Sequence, residues 1–207
     1  MKNILLIRHG QSEWNKLNLF TGFKNIELSS QGVEEANKAG QNFKELQLKF
    51  DLVFTSELKR AQDTAKIILE NLSQWEELND KGKIVKNINL NERDYGDLTG
   101  LNKKETADKF GEEQVHKWRR GYSDQPTNGE SLEDVVRRVT KYFEEVIKPA
   151  IQSDDNDNIL IAAHGNSLRA LLIVMNIYEP NNINSVELST GVPIHVILKD
   201  NKFSIKD

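Results

Sequence analysis

The stretch Ile4-Leu5-Leu6-Ile7-Arg8-His9-Gly10 joins a short apolar run to a cation, an imidazole and a glycine. A continuous apolar run of this length predicts a strand that is buried on both faces, as in a parallel sheet. Ligands of open α/β sheets bind at the carboxyl ends of the strands, and His9 lies there. A neutral imidazole can attack phosphorus in a phosphate ester near pH 7. An isolated Arg-His-Gly is more often a loop-bonded histidine, so this stretch alone leaves both interpretations open.

A second stretch, residues 158–167, repeats the arrangement. An apolar strand is followed by His164 and Gly165, and then by polar residues that open an apolar helix. The first turn of such a helix offers free backbone N–H groups to an anion. Two strand–histidine–glycine units in one chain therefore predict two imidazoles in one pocket, where one attacks and the other stabilises charge.

Composition limits the class of protein. The chain has 207 residues, a hydrophobic content of 37%, a charged content of 29% and a net charge of −4. We expect residues 1–207 to form one domain. The negative charge argues against a nucleic-acid binder, so an anion site must be a local group of cations. Without cysteine, no disulfide or thiolate site can form. No signal-like or membrane-spanning apolar run is present, and we expect a cytoplasmic protein.

The rest of the chain alternates strands and helices. We predict three further strands, over residues 51–55, 83–89 and 193–198. Helices are predicted over residues 30–46, 58–69, 103–120 (with a break near Gly111) and 132–148. Ser29 or Ser30 would cap the first of these helices, Ser56 the second, and Ser131 with Asp134 the last. This alternation predicts an α/β three-layer sandwich with a mainly parallel central sheet and helices on both faces.

Eight motifs, in order over nearly the whole chain, resemble those of one family. They are RHGQSEWN (8–15), TG (21–22), TSELKRA (55–61), LNER (90–93), YGDLTGLNK (95–103), WRR (118–120), GESL (129–132) and AHGNS (163–167). Together they look like the cofactor-dependent phosphoglycerate mutases of the histidine phosphatase superfamily. RHG alone marks only the superfamily, whereas Glu92, Lys103 and the Arg119-Arg120 pair point to the mutase branch.

The resemblance implies a role for each matching residue. His9 would be the nucleophile and Glu92 the general acid and base. Arg8, Arg60 and His164 would surround the oxygens of the transferring phosphoryl group, because phosphoryl transfer depends mainly on positioning and charge neutralisation. The substrate's carboxylate and far phosphate would be bound by Tyr95, Lys103, Arg119 and Arg120. Hydrogen-bond donors would come from Ser12, Asn15, Thr21, Gly22, Gly165 and Asn166.

The implied activity is the 2,3-bisphosphoglycerate-dependent interconversion of 3-phosphoglycerate and 2-phosphoglycerate, in glycolysis and gluconeogenesis. The bisphosphate would prime His9 as a phosphohistidine, and no metal is implied. Two alternatives stay open: a small-molecule phosphatase of the same superfamily, and an inactive phosphate- or protein-binding module. We expect small phosphoglycerates as partners, without nucleic acid or membrane, and the sequence leaves open whether the protein is a homo-oligomer.

Three further expectations concern residues outside these motifs. His116 is predicted to be a surface or packing histidine, and His195 a structural residue of the last strand. Residues 199–207 follow the last predicted strand, so we expect a short or absent C-terminal lid over the site.

Overall fold

The computed structural model describes residues 1–206 and contains one six-stranded sheet. The strands are β1 (Lys2–Arg8), β2 (Leu52–Thr55), β3 (Ile84–Lys86), β4 (Asn158–Ala163), β5 (Pro193–Lys199) and β6 (Lys202–Ile205). Their spatial order is β3-β2-β4-β1-β5-β6. The first four strands in this order are parallel, and β5 and β6 run antiparallel to their neighbours. The predicted α/β fold with a mainly parallel sheet is confirmed.

Nine α-helices connect and cover the strands in the described part of the chain. They are α1 (Glu13–Lys16), α2 (Ser30–Glu45), α3 (Lys59–Asn71), α4 (Trp75–Asp80), α5 (Lys103–Phe110), α6 (Glu112–Arg120), α7 (Leu132–Tyr142), α8 (Lys148–Gln152) and α9 (Gly165–Val174). Ser29, rather than Ser30, caps α2 by accepting the N–H of Gly32. Ser131 and Asp134 form the predicted capping box of α7. The predicted break between α5 and α6 occurs at Gly111, whose φ is +89°.

Strand β1 contributes to a separate apolar core on each face of the sheet. Ile4 and Leu6 pack with residues of α7, α8 and α9. Leu5 and Ile7 point to the other face and pack with residues of α2 and α3. Side chains alternate between the faces of a strand, so one continuous apolar run supplies both cores. This burial fixes β1 at the centre of the fold and holds its carboxyl end in place.

The helix that begins at Leu132 continues past Pro149, so the prediction that it ends before this proline is wrong. A π-helical segment, Phe143–Ile147, follows α7, and the N–H of Lys148 bonds to the carbonyl of Phe143 five residues back. Pro149 then lies in the first turn of α8. A proline is tolerated there because its missing N–H is not needed.

Two other elements differ in extent from their predictions. β3 covers only Ile84–Lys86 of the predicted residues 83–89, because residues 88–90 form a 3₁₀ turn. After β5, residues 202–205 form the edge strand β6, which pairs with β5. Ile205 pairs with Val196, which in turn pairs with Ile4 near the middle of β1. The end of β6 therefore lies away from the carboxyl end of β1. Within residues 1–206, no helix is long and apolar enough to cross a membrane.

Candidate active site

The two histidines at strand ends lie side by side. β1 and β4 are neighbours in the sheet, with Arg8 opposite Ala163, so His9 and His164 emerge at the same edge. Their ring centroids are 4.9 Å apart. Both side chains are buried, with exposed fractions of 2% for His9 and 0% for His164. The sheet register alone therefore accounts for the meeting of two imidazoles.

The loop after β1 requires a glycine. A Cβ on Gly10 would lie 2.2 Å from the carbonyl oxygen of Gly32, at the start of α2. No side chain can be accommodated at that distance, so only glycine lets this loop pack on α2. The same residue accepts a hydrogen bond from His9, because Gly10 O lies 2.6 Å from His9 Nδ1.

His9 is held as a neutral imidazole with Nε2 as its acceptor nitrogen. Nδ1 donates to Gly10 O, which assigns the proton to Nδ1. Nε2 accepts a hydrogen bond from Arg60 Nε at 3.3 Å. Burial, and then the charges of Arg60 and Arg8, lower the pKa of His9 well below 6.5. The ring therefore stays uncharged at neutral pH.

Backbone carbonyls fix the two arginines nearest to His9. Arg60, which is 1% exposed, donates to Lys24 O at 2.8 Å and to Gly22 O at 3.0 Å. Arg8 donates to Leu188 O at 2.8 Å, and its Nε is buried without a partner among the described residues. A guanidinium held by neutral carbonyls keeps its positive charge available to an anion.

Glu92 lies at the start of a loop and accepts three hydrogen bonds at one oxygen. Its Oε1 accepts from the N–H of Arg93 at 2.8 Å and from the N–H and Nδ2 of Asn166 at 3.1 and 3.0 Å. Burial by itself would raise the pKa of Glu92. The hydrogen bond from Arg93, the charge of Arg60 and the bond from Asn166 outweigh this effect and lower it. Glu92 is therefore a carboxylate in the ligand-free protein.

One cavity collects every residue that the sequence analysis assigned to the site, apart from Ser12 and His164. Its lining is Arg8, His9, Asn15, Thr21, Gly22, Arg60, Glu92, Tyr95, Lys103, Arg119, Arg120, Gly165, Asn166 and Arg169. Ser12 lies outside because its hydroxyl caps α1 by accepting the N–H of Asn15. His164 is buried beside His9 and does not line the cavity. Six of the lining side chains are cationic and one is a carboxylate, so the cavity suits a ligand with several negative charges.

The cations farther along the chain belong to α5 and α6. Lys103 begins α5, and Arg119 and Arg120 end α6. Burial, followed by the charges of Arg119 and Arg8, lowers the pKa of Lys103 to about 8. Burial also lowers the pKa of Arg119. Like charges gathered in a partly buried cavity repel one another, and an anion between them would relieve that repulsion.

Sequence reasoning missed three residues around the cavity. Ser56 was predicted to cap α3, but the residue in that position is Leu58, without a side-chain cap. Ser56 Oγ instead lies 2.7 Å from His164 Nε2 and accepts the N–H of Leu58. His164 Nδ1 has no partner among the described residues. Only the contact across β2 and β4 reveals this role, and the local sequence contains no sign of it.

Arg138 and Arg169 are the other two residues near the cavity that the sequence analysis did not assign to the site. Arg138, on α7, forms a bidentate ion pair with Glu130 and donates to Asn89 O at 2.6 Å and to Glu92 O at 3.0 Å. It therefore braces the loop that carries Glu92. Arg169 lines the cavity from α9. A single charged residue in an otherwise apolar helix was the signal that could have identified Arg169.

The described residues hold no group of three His, Cys, Asp or Glu side chains placed to bind a metal ion. The unpartnered nitrogens at the site are N–H groups of arginine and a ring nitrogen of His164. This donor set fits phosphate and carboxylate oxygens.

The comparisons with known proteins agree with the motifs. Residues 4–207 match the family model described as histidine phosphatase superfamily (branch 1). A 2,3-bisphosphoglycerate-dependent phosphoglycerate mutase from Bradyrhizobium sp. (strain ORS 278) is 51% identical over 197 residues, which are 95% of this chain and 91% of that protein. The protein of the same name from Parvibaculum lavamentivorans is 49% identical over 201 residues, or 97% and 92% of the two chains.

A solved structure shares the fold. The mycobacterial glucosyl-3-phosphoglycerate phosphatase in complex with VO3 superposes with a TM-score of 0.81 and 22% identity, over 100% of this chain and 98% of the other. At that identity the likeness concerns the fold alone.

Proposed function

The chain belongs to the histidine phosphatase superfamily, and on this premise we propose that it is a 2,3-bisphosphoglycerate-dependent phosphoglycerate mutase. It interconverts 3-phosphoglycerate and 2-phosphoglycerate in glycolysis and gluconeogenesis. Relatives that carry this name are about half identical to it over nearly the whole length of both chains.

The observation that carries the proposal is the second set of cations. A phosphatase needs to hold only the phosphoryl group that is transferred, and Arg8 and Arg60 beside His9 suffice for that. A mutase must also retain the rest of the substrate while the bound intermediate reorients in the site. Lys103, Arg119 and Arg120 line the same cavity and supply positive charge for a second anionic group. Tyr95 lies with them and is near Asn166, at 3.4 Å.

In the proposed reaction His9 carries the phosphoryl group. The lone pair of Nε2 attacks phosphorus, an N–P bond forms, and the P–O ester bond breaks with its electron pair going to the leaving oxygen. The guanidinium groups of Arg8 and Arg60 neutralise charge on the transferring group, and the neutral ring of His164 donates a hydrogen bond to it from Nδ1, which is otherwise unpartnered among the described residues. In the reverse half-reaction a substrate hydroxyl oxygen attacks the phosphorus and the N–P bond breaks.

Glu92 exchanges the proton. Its carboxylate accepts the proton of the incoming hydroxyl when the phosphohistidine is discharged, and it returns that proton to the leaving oxygen when His9 is phosphorylated again. The low pKa of Glu92 in the ligand-free protein suits the first of these tasks. A bound phosphate adds negative charge beside the carboxyl group and raises its pKa, which suits the second.

The lining of the cavity supports the cofactor that the name of the relatives implies. Its six cations and the unpartnered Nε atoms of Arg8 and Arg169 match a ligand with two phosphates and a carboxylate. When bound, 2,3-bisphosphoglycerate supplies the phosphoryl group that first loads His9. The remaining hydrogen bonds to the ligand come from Asn15, Thr21, Gly22, Gly165 and Asn166, whereas Ser12 acts through the cap of α1.

The test is an enolase-coupled assay on 3-phosphoglycerate, with and without catalytic 2,3-bisphosphoglycerate. We expect turnover that the bisphosphate stimulates and that His9→Ala abolishes. His116→Ala is the matched control, because His116 is exposed on α6, and it should leave turnover unchanged.

The two alternatives give different results. Steady phosphate release without isomerisation, and little effect of Arg119→Gln or Arg120→Gln, would indicate a phosphatase. A failure to trap labelled phosphohistidine would indicate a binding module.

A further inference from the structure

Arg169 is a buried cation that faces the active-site cavity. It lies on α9 one turn after Gly165 and Asn166, which places the three residues on one face of the helix. All three line the cavity, and Arg169 is 5% exposed. The other residues of this helix beyond its first turn are apolar.

The charge of Arg169 has no carboxylate partner. One of its nitrogens, Nη2, donates to the carbonyl of Val186 at 3.0 Å. Among the described residues no ion pair involves this guanidinium, and its Nε is buried without an acceptor. The carboxylate of Glu92 is near enough to raise the pKa of Arg169 but forms no ion pair with it. A buried cation without a bonded counter-charge is costly, and a bound anion would reduce that cost. Burial, and then the charge of Arg120, lower the pKa of Arg169 to about 10, so it remains charged at neutral pH.

The surroundings of Gly165 show how close Arg169 lies to Glu92 and Arg8. A Cβ built on Gly165 would be 3.2 Å from Arg169 Nη1, 3.7 Å from Glu92 Oε2 and 3.9 Å from Arg8 Nε. These three groups therefore face the side of Gly165 that has no side chain, and a Cβ there would crowd Arg169 Nη1. The cation of Arg169 is consequently a near neighbour of the carboxylate that exchanges the substrate's proton.

We propose that Arg169 binds the carboxylate of the glycerate, a proposal that rests on the function proposed above. In glycerate the hydroxyl at C2 and the carboxylate are attached to the same carbon. When Glu92 takes the proton of this hydroxyl, the carboxylate must lie within a few ångströms of Glu92. Arg169 Nη1 is the cation beside that position on the α9 side, and its two-pronged guanidinium matches a carboxylate. Arg169 is then a specificity-determining residue that distinguishes 2- and 3-phosphoglycerate from phosphomonoesters without a carboxylate, such as glycerol 3-phosphate.

The test compares two ligands that differ at this group. 3-Phosphoglycerate carries a phosphate and a carboxylate, whereas glycerol 3-phosphate carries the phosphate alone. Calorimetric titration of the dephosphorylated protein, without bisphosphate, measures both dissociation constants in the absence of turnover. For Arg169→Gln we expect the dissociation constant of 3-phosphoglycerate to rise about 10- to 100-fold, the range for losing a hydrogen bond to a charged group. The constant for glycerol 3-phosphate should change by less than about twofold.

The conservative variant and a control complete the design. Arg169→Lys keeps the charge but loses the fork, so it should weaken 3-phosphoglycerate less than Arg169→Gln does, and it can be measured if the glutamine variant does not fold. Arg137→Gln removes an exposed arginine on α7 and should alter neither constant. Equal weakening of both ligands in either Arg169 variant, or no weakening, would overturn the proposal. In that case isomerisation of 3-phosphoglycerate by the wild-type protein would still support the mutase function. The carboxylate role of Arg169 and the mutase function are therefore tested separately.

Discussion

Arg60 is the hydrogen-bond donor to the lone pair of His9. In the ligand-free protein its Nε–H donates to His9 Nε2, the atom that would attack phosphorus. A phosphate oxygen is a far better acceptor than a neutral imidazole, so a bound phosphoryl group draws this N–H away. Phosphate binding would therefore leave the lone pair free to attack. The two carbonyls that hold the other nitrogens of Arg60 keep it within reach of both partners.

The lowered pKa of Lys103 leads to a prediction about activity at alkaline pH. Its pKa is lowered to about 8, so in the free protein the amine is charged below pH 8 and neutral above it. Because the charged form would bind the anionic substrate, we expect kcat/KM for 3-phosphoglycerate to fall above pH 8. In Lys103→Arg the guanidinium stays charged, and the alkaline limb should move upward by about one pH unit or more. A profile of kcat/KM from pH 7 to 10 measures this, since it reports groups of the free enzyme.

The neighbouring lysine is the control for this profile. Lys104 is exposed and pairs with Asp108 on α5 at 3.0 Å. Lys104→Arg should leave the profile unchanged. An alkaline limb that stays in place in Lys103→Arg would show that another group causes the loss.

At the scale of elements, α7 positions the loop of Glu92. Arg138 joins α7 to the carbonyls of Asn89 and Glu92, and its partner Glu130 accepts the N–H of Asp94 at 2.9 Å. Without this brace the loop would move and carry Glu92 away from Asn166 on α9. A displacement of about 1 Å at a reacting group costs on the order of 100-fold in rate. For Arg138→Gln we therefore expect kcat to fall by about that factor, with KM nearly unchanged.

The pH profile separates positioning from a general loss of structure. The N–H of Arg93, the charge of Arg60 and the hydrogen bond from Asn166 lower the pKa of Glu92. A displaced loop would lose the contribution of Asn166, so the acid limb of kcat/KM should move to higher pH in Arg138→Gln. Arg138→Lys should restore part of kcat. The adjacent Arg137 is exposed and pairs with Asp134, and Arg137→Gln should behave as wild type. An unchanged acid limb in Arg138→Gln would contradict the positioning role.

Elements were predictable where local sequence determines them. The apolar run of β1 and the caps at Ser29 and Ser131 gave correct strands and helix starts, because both depend on neighbours in the chain. Pro149 was predicted to follow the end of the helix. A π-helical segment precedes it, and Pro149 lies in the first turn of α8, where its missing N–H is not needed. Ser56 misled it because the hydroxyl is used by His164, which is more than a hundred residues away.

At the scale of the whole molecule, the motifs predicted most residues that line the cavity. They did not predict Arg138, which holds the loop of Glu92, or Arg169, which lines the cavity from α9. Residues that would touch the ligand lie in short runs such as RHG and WRR, and almost all of them line one cavity. Arg138 and Arg169 act across the fold, through carbonyls of distant loops. Such contacts depend on how the sheet and helices pack, which no short pattern specifies.

The same buried pair of histidines predicts how the whole molecule responds to acid. Burial is the main cause that lowers the pKa of His9 and of His164 well below 6.5. Below pH 6.5 the unfolded chain binds protons at both rings, whereas the folded protein does not. Stability is therefore complete above pH 6.5 and is lost as pH falls below it, by up to about 1.4 kcal/mol per pH unit for each histidine.

Denaturant unfolding between pH 7.5 and 5 measures this slope. His164→Asn removes one of these two titrating rings and should reduce the slope, while His9 and His195, whose pKa burial also lowers, keep their contributions. His116→Gln changes an exposed ring on α6 and should leave the slope as it is. A free energy of unfolding that stays constant from pH 6.5 to 5 would mean that the folded protein protonates these rings. In that case burial would not lower the pKa of the two rings below that of an exposed histidine.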